Sequence, residues 1–575
     1  MKRTTRVFAL LLVLAISLSL SACGGSSEST VSSSSTTETS TATTTSEPKY
    51  GGELNVYYQE LYTDYDPSAA DNRNYALWFE RLWTINLGEN DPSKFQNEYV
   101  NFEDLTGQIA ESWNFDSAAQ TFTVKLRQDV YFQDKEPYNG RQLTAADVKW
   151  TYDRLFGWDG TTKVDCESDY STSLYMLQSV EASDDYTVVF HFNSGNETAM
   201  ADFMTTSVNI GGVEWDTLTA DQKADWHYAA GTGPYILTDY AADSYMTFEK
   251  NSNYYAYDIR YPQNKLPYID KITLTCITDS ANRLTQFLSG KLDVLSWGGS
   301  VLGSTEIEQL TSTMSADAFK EYTYDSSPVG IGLKSNSAPL SDVRVRKALQ
   351  MAINSDEINS AYYGYTDSSG ISGAFALGTD YSSADSWSDD VKSSYQYDPD
   401  GAKALLAEAG YPDGFEFTVT IFSALPSDLF QLVADYLSKI GVTMKIEIAS
   451  TPMEMMSIGY DESDPRCIFD SPGKYTVNYV MMYFRTGGNS DSIFHNDATF
   501  NGLCDQCNTA TTMADRIKYA QELDEYFVEQ HWILQLGSAE KVSSFFSSRV
   551  GGYTGERLNK NWNITPILSS IWVTD

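Results

Sequence analysis

The 575-residue chain is 42% hydrophobic and 20% charged, enough apolar material for several domain-sized cores, which excludes a disordered chain. Its 39 Lys and Arg against 78 Asp and Glu give a formal charge of -39, so the basic footprint of a nucleic-acid binder is missing and nucleic acid is not an expected partner. Four His and six scattered Cys leave little material for a His-rich metal centre or a dense disulfide framework.

At the start, Lys2, Arg3 and Arg6 precede an apolar run from Val7 to Leu20 and then the small residues Ser21 and Ala22. That is the pattern of an export signal over residues 1–22. The run is too short to span a bilayer comfortably, and no later stretch reaches the ~20 uninterrupted apolar residues of a membrane helix. A soluble, exported body is expected. Leu20-Ser21-Ala22-Cys23 is similar to the lipobox of bacterial lipoproteins, which implies that Cys23 becomes the lipidated first residue; the alternative is ordinary secretion with a chance Cys. Residues 24–49 are dominated by Ser and Thr and cannot bury enough surface to offset their chain entropy. Residues 23–49 therefore read as a lipidated Cys and a tether, with an r.m.s. reach of roughly 25 to 30 Å. The acidity of the body reads as a solvated surface, with attraction of cationic ligands as the alternative.

From Tyr50 onward the hydrophobic period alternates between two and 3.6, which argues for a mixed α/β protein. Phe122, Val124 and Leu126 alternate with polar residues within Thr121 to Arg127, as Val188, Phe190 and Phe192 do further on; both read as half-buried strands. Between them Thr144 caps a helix, with Asp147 three residues on and Val148, Tyr152 and Leu155 along one side. A second helix is expected from Ser341, carrying Val345, Leu349 and Ala352. The clearest runs from Asp398 to Gly410, with Asp398 as N-cap, Pro399 in the first turn and Gly410 as the left-handed residue after the end. A strand from Gly414 to Ile421, a helix from Leu429 to Ile440 and a strand from Val442 to Ile448 follow as a βαβ unit.

Segments in order along the body carry a resemblance: Gly51-Gly52-Glu53-Leu54, Ile109-Ala110-Glu111-Ser112-Trp113, Thr144-Ala145-Ala146-Asp147-Val148, Gly231-Thr232-Gly233-Pro234-Tyr235, the run from Pro339 to Leu349, and the Asp398 helix with Tyr411-Pro412. Together they resemble the bacterial extracellular solute-binding proteins of family 5, the large receptors of peptide, oligopeptide and nickel ABC importers. Val550-Gly551-Gly552-Tyr553-Thr554-Gly555 looks like the oligopeptide branch. The resemblance implies an α/β, two-lobed, periplasmic-binding-protein-like (Venus-flytrap) fold with an extra domain on the first lobe. The expected division is lobe I at 50–320 with the extra domain inserted at about 100–200, lobe II at 321–540, and a return to lobe I at 541–575. Arg127, Asp147 and Arg344 are expected to serve ion pairs and caps within the lobes.

The function so implied is capture of a short peptide by lobe closure and delivery to the transmembrane subunits of an ABC permease, by a monomer held to the extracytoplasmic face of the membrane through its lipid alone. An oligosaccharide or a nickel or other metal chelate is the alternative cargo. No enzyme activity and no cofactor are expected. Tyr57, Tyr58, Trp83, Trp297 and, more faintly, Phe375 are candidates for the cleft wall, each with core packing as the alternative. Asp470, within Cys467-Ile468-Phe469-Asp470-Ser471, is the candidate anchor for a peptide's α-ammonium; the aromatic neighbour usual in relatives is absent, and a surface loop carboxylate is the alternative. Two rival chemistries are weaker. Ser471-Pro472-Gly473-Lys474 has the Ser-x-x-Lys spacing of penicillin-recognising acyltransferases, but Pro472 and Gly473 disfavour the helix that chemistry needs. Cys504-Asp505-Gln506-Cys507, with Cys467 and His495, has metal-ligand spacing, against the preferred reading of loop thiols or a local disulfide.

Overall fold

The computed structural model describes residues 47–574, except 59–60, 62, 64, 68–76, 90–91, 96–99, 158–173, 175, 207, 296–301, 303, 326–328, 361–370, 377–378, 423–424, 426, 475, 489, 538–540 and 558–564. The expected export signal, Cys23 and Trp297 lie outside the described residues.

The first lobe is built on a sheet in which Glu53–Tyr58 runs parallel to Lys271–Cys276, followed by the antiparallel strands Tyr245–Lys250 and Tyr235–Ala241. Period-two patterning puts Leu54, Val56, Ile272, Leu274, Met246 and Phe248 on one face, inside a single core cluster. A separate four-stranded sheet takes its strands in the order Ala110–Asp116, Thr121–Leu126, Thr187–Phe192 and Leu177–Asp184. The helices Ala145–Phe156 and Glu197–Thr205 add Tyr152, Leu155, Phe203 and Met204 to its core, which is distinct from that of the first sheet. Burying a side chain such as Phe203 contributes about 2 to 3 kcal/mol relative to leaving it in water. Thr144 and Asp147 form the expected reciprocal cap of the first of these helices. The buried Asp147 carboxylate also accepts two bonds from Arg141, at 2.8 and 2.6 Å.

The second lobe holds a five-stranded sheet in the order Thr443–Ala449, Glu416–Phe422, Cys467–Phe469, Gly330–Gly332 and Ile533–Gln535. Its first three strands and Ile533–Gln535 run in one direction, and Gly330–Gly332 between them is antiparallel to both of its neighbours. The βαβ unit is Glu416–Phe422, Ser427–Ser438 and Thr443–Ala449, with Gly441 at φ +85° after the helix. Pro399–Glu408 is capped by Asp398, whose side chain accepts from Gly401 N at 2.9 Å, and Gly410 has φ +96°. The helix expected from Ser341 begins instead at Val343. Asp342, not Ser341, supplies the capping oxygen, accepting from Arg344 N at 2.9 Å. A second core in this lobe joins Val477–Phe484, Ala498–Thr509 and Met513–Glu529 through Val480, Phe484, Phe500, Leu523, Phe527 and Trp532.

A separate two-stranded sheet follows. Phe319–Asp325 and Lys541–Ser547 pair antiparallel over seven residues, and Phe546 bridges to Val294, which in turn bridges to Val56 of the first sheet. The chain then ends against the first sheet, where Val550, Tyr553, Ile567, Leu568, Ile571 and Val573 join its core. Among the described residues no helix is long and apolar enough to cross a membrane.

Candidate functional site

In open parallel sheets the carboxyl ends of the strands form the ligand-facing edge, because the loops that leave there diverge and open a crevice. In the first lobe that edge carries Tyr57 and Tyr58 at the end of Glu53–Tyr58, beside Cys276 of the neighbouring strand. In the second it carries Phe422, Ala449 and Phe469, with Asp470 next in the chain.

Asp470 is 8% exposed and fully engaged. Its Oδ1 accepts from Lys474 Nζ at 3.1 Å and its Oδ2 from Ser492 Oγ at 2.7 Å. The left-handed Gly473, at φ +76°, turns the chain so that Lys474 returns to a carboxylate four residues earlier without a helix. Lys474 Nζ also donates to the Ser471 carbonyl at 2.9 Å. It lies 4.2 Å from the centroid of the Tyr483 ring and 5.0 Å from that of Phe484, a cation–π cradle that lowers the cost of partial burial. Burial and the charge of Asp470 push the Tyr460 phenol up to about 12. Asp491 accepts from the backbone N of Ile493 and of Phe494, both at 2.9 Å, while burial, with a contribution from the charge of Asp470, raises its pKa above the usual carboxylate range. Gly332 is packed so closely that a Cβ there would lie 2.8 Å from Ser492 Oγ and 3.4 Å from Asp470 Cβ. The absence of that side chain lets Ser492 reach the carboxylate.

Tyr57 is 4% exposed. The Arg283 guanidinium lies over its ring at 4.9 Å and donates to its hydroxyl at 3.3 Å, while pairing with Glu306 at 2.7 Å. Tyr58 is 9% exposed and joins the first core. Trp83 lies inside the core of the small sheet, edge-on to Trp113, Phe122 and Phe203 at 6.2, 5.7 and 5.5 Å between ring centroids. Phe375 is fully buried against Tyr381 at 5.1 Å, and its backbone N donates to Asp524 at 2.8 Å. The same segment bridges to Lys474, tying this core to the Asp470 turn.

The residues of the rival chemistries sit apart from what those chemistries need. Lys474 is in extended backbone paired to Phe375, so Ser471 and Lys474 do not share a helical face. Cys504 and Cys507 lie within the helix Ala498–Thr509 rather than on a loop, both fully buried with free thiols. Burial raises both thiols, Cys507 to about 12, and Cys467 to about 11, which disfavours the thiolate a metal requires. Burial also lowers His495 to about 4. Its Nδ1 accepts from Asp497 N at 2.8 Å, which leaves Nε2 to donate to the Phe484 carbonyl at 2.7 Å. Among the described residues no group of three or more His, Cys, Asp and Glu is arranged to hold a metal ion. The contributions of Ser492, Asp491 and Arg283 carry no local sequence signal. The four-residue spacing of Asp470 and Lys474 is the one hint.

A family model described as bacterial extracellular solute-binding proteins, family 5 middle region, matches residues 104–471. The chain is 25% identical over 365 residues to heme-binding protein A of Haemophilus influenzae, covering 60% of this chain and 63% of that protein, just under two thirds of its length. It is 24% identical over 478 residues to the glutathione-binding protein GsiB of Pectobacterium atrosepticum, covering 78% of this chain and 83% of that one. The crystal structure of a dipeptide-binding protein from Pseudoalteromonas sp. SM9913 in complex with Met-Leu superposes with a TM-score of 0.72 at 19% identity, over 91% of this chain and 100% of the other. At that identity the likeness establishes the two-lobed fold.

Proposed function

Since the chain belongs to the bacterial extracellular solute-binding proteins of family 5, we propose that it captures a short peptide between its lobes and delivers it to the membrane subunits of an ABC importer. The lobes are taken to divide near residues 320 and 540, at the paired strands Phe319–Asp325 and Lys541–Ser547. Closure requires that cargo bind the closed arrangement better than the open one, since only differential affinity shifts that equilibrium. We assign Tyr57 and Tyr58 to the wall on one side and Asp470 to the other, with Phe375 supporting the Asp470 turn from within its core, Trp83 kept to the core of the small sheet and Trp297 as a further wall residue. Cys23 carries the lipid, the Ser/Thr-rich segment leashes the body near the extracytoplasmic face of the membrane, and the chain acts as a monomer.

The observation that carries the peptide reading is the buried Asp470 carboxylate at the carboxyl end of a parallel strand. An ammonium entering there gains a charge-assisted hydrogen bond, and free peptide backbone accommodates strand-like pairing. The chemistry is binding without turnover. Equilibrium dialysis of the signal-free chain against mixed labelled peptides of two to five residues tests the reading. About one intact peptide retained per chain is expected. Retention of sugars or a nickel chelate in its place, with no peptide held, overturns the peptide assignment.

A further inference from the structure

The small four-stranded unit and the second lobe touch through residues more than 300 positions apart in sequence. Helix Glu197–Thr205, packed on the small sheet through Ala199, Phe203 and Met204, meets the start of helix Met513–Glu529, which is anchored in the second lobe through Ala520, Leu523 and Phe527. Arg516 and Asp202 form an ion pair at 2.8 Å, with side chains 1% and 9% exposed. Arg516 Nη1 also donates to the Thr198 carbonyl at 3.3 Å, and Thr198 Oγ1 donates to the Ala510 carbonyl at 2.8 Å. Glu197 Oε2 accepts from Met513 N at 3.1 Å. A helix start carries donors without intrahelical partners and a partial positive charge. Here one of those donors is satisfied by a carboxylate from the opposite lobe.

None of these residues belongs to the paired strands Phe319–Asp325 and Lys541–Ser547 at which the lobes are taken to divide, so any rotation of one lobe away from the other must separate them. We propose that Asp202 and Arg516, flanked by Glu197, Thr198 and Ala510, form a latch that is made when the lobes close and broken when they open. The inference rests on the closure described above and adds a contact that biases its equilibrium. Two mated charges return to water on opening, so the complete latch tips the balance modestly. A single mismatched charge, in contrast, is trapped only in the closed state and penalises it heavily. The latch therefore acts on the affinity for every cargo alike, because none of its groups lies at the Asp470 edge.

The test uses the whole signal-free chain with no peptide added, measured by small-angle X-ray scattering as wild type, Asp202→Arg, Arg516→Glu and the double reversal. Each single reversal is expected to lower the closed-to-open ratio on the order of 100-fold, read as a larger radius of gyration, and the double reversal to bring the curve back toward wild type. Single variants that stay folded by circular dichroism and keep the wild-type curve overturn the latch. Should a single reversal fail to fold, the pair Thr198→Cys and Ala510→Cys in the otherwise native chain replaces it. Rapid oxidation to a disulfide is expected, and failure to link overturns the proposal. Because no cargo enters these measurements, opening of the variants in a chain that retains no peptide would sink the peptide reading and leave the latch standing.

Discussion

Replacing Asp470 by Asn removes one charge from a buried network while keeping its shape, and its effect on peptide affinity follows from the geometry. The carboxylate is 8% exposed and already accepts from Lys474 at 3.1 Å and Ser492 at 2.7 Å. A cargo ammonium must therefore share Oδ1 with Lys474 or displace it. The charge-assisted bond so formed contributes about 1.5 to 3 kcal/mol, and its loss weakens binding of trialanine roughly 10- to 150-fold. Lys474→Met should act in the opposite direction, tightening trialanine, because it frees the oxygen that the internal ammonium occupies. N-acetylated trialanine has no ammonium and should bind Asp470→Asn and wild type alike. Isothermal titration at neutral pH, on variants whose melting temperatures have been checked, reads all three. Equal affinity of wild type and Asp470→Asn for trialanine refutes the anchor. Loss of affinity in Lys474→Met as large as in Asp470→Asn shows instead that the pair acts as a structural unit.

Three further outcomes are expected. Burial pushes Glu80 from the ordinary 4.5 up to about 7, against hydrogen bonds from Tyr254 and Tyr255 that pull it down. The folded chain thus holds that proton more tightly than the unfolded one, so the contribution of this group to stability is complete below about pH 4.5 and is lost as pH rises through about 7, on the order of 3 kcal/mol. Urea midpoints at pH 5 and pH 8 should differ less in Glu80→Gln than in wild type; equal differences contradict the assignment. Cys504 and Cys507, buried and raised by desolvation, should react with a thiol reagent only after unfolding, and prompt labelling of the native chain would show that the helix carrying them opens. Gly332→Ala places a methyl 2.8 Å from Ser492 Oγ, so it should displace that hydroxyl from Asp470 and weaken trialanine binding several-fold; unchanged affinity would remove Ser492 from the site.

Local chemistry made much of the fold legible. Thr144 with Asp147, Asp398 with Pro399, and the left-handed Gly410 and Gly441 each act within one turn of their own helix, so their spacing alone places the helix ends. The helix expected from Ser341 starts two residues later because Asp342 rather than Ser341 caps it, a shift within the uncertainty with which sequence places helix ends. Trp83 and Phe375 show where local reading runs out. Their partners Phe122, Phe203 and Asp524 lie tens to more than a hundred positions away, so an aromatic residue suited to a cleft cannot be told from one suited to a core. Asp470 is a candidate in the sequence only through the family resemblance, and its pairing with Lys474 and Ser492 depends on the turn at Gly473 and on the missing side chain of Gly332. The Arg516–Asp202 contact joins two separately formed cores, and no local pattern announces it.

The central claim is that the chain holds a solute between its lobes and releases it unaltered. Native mass spectrometry of the protein purified from bacterial membranes tests this most directly. The account predicts a chain beginning at Cys23, heavier by a covalent diacylglyceride, carrying one noncovalent small molecule whose mass is the same after denaturation as in the complex. A chain that never retains a solute, and that converts an offered peptide or acyl compound to a product of different mass, would contradict it.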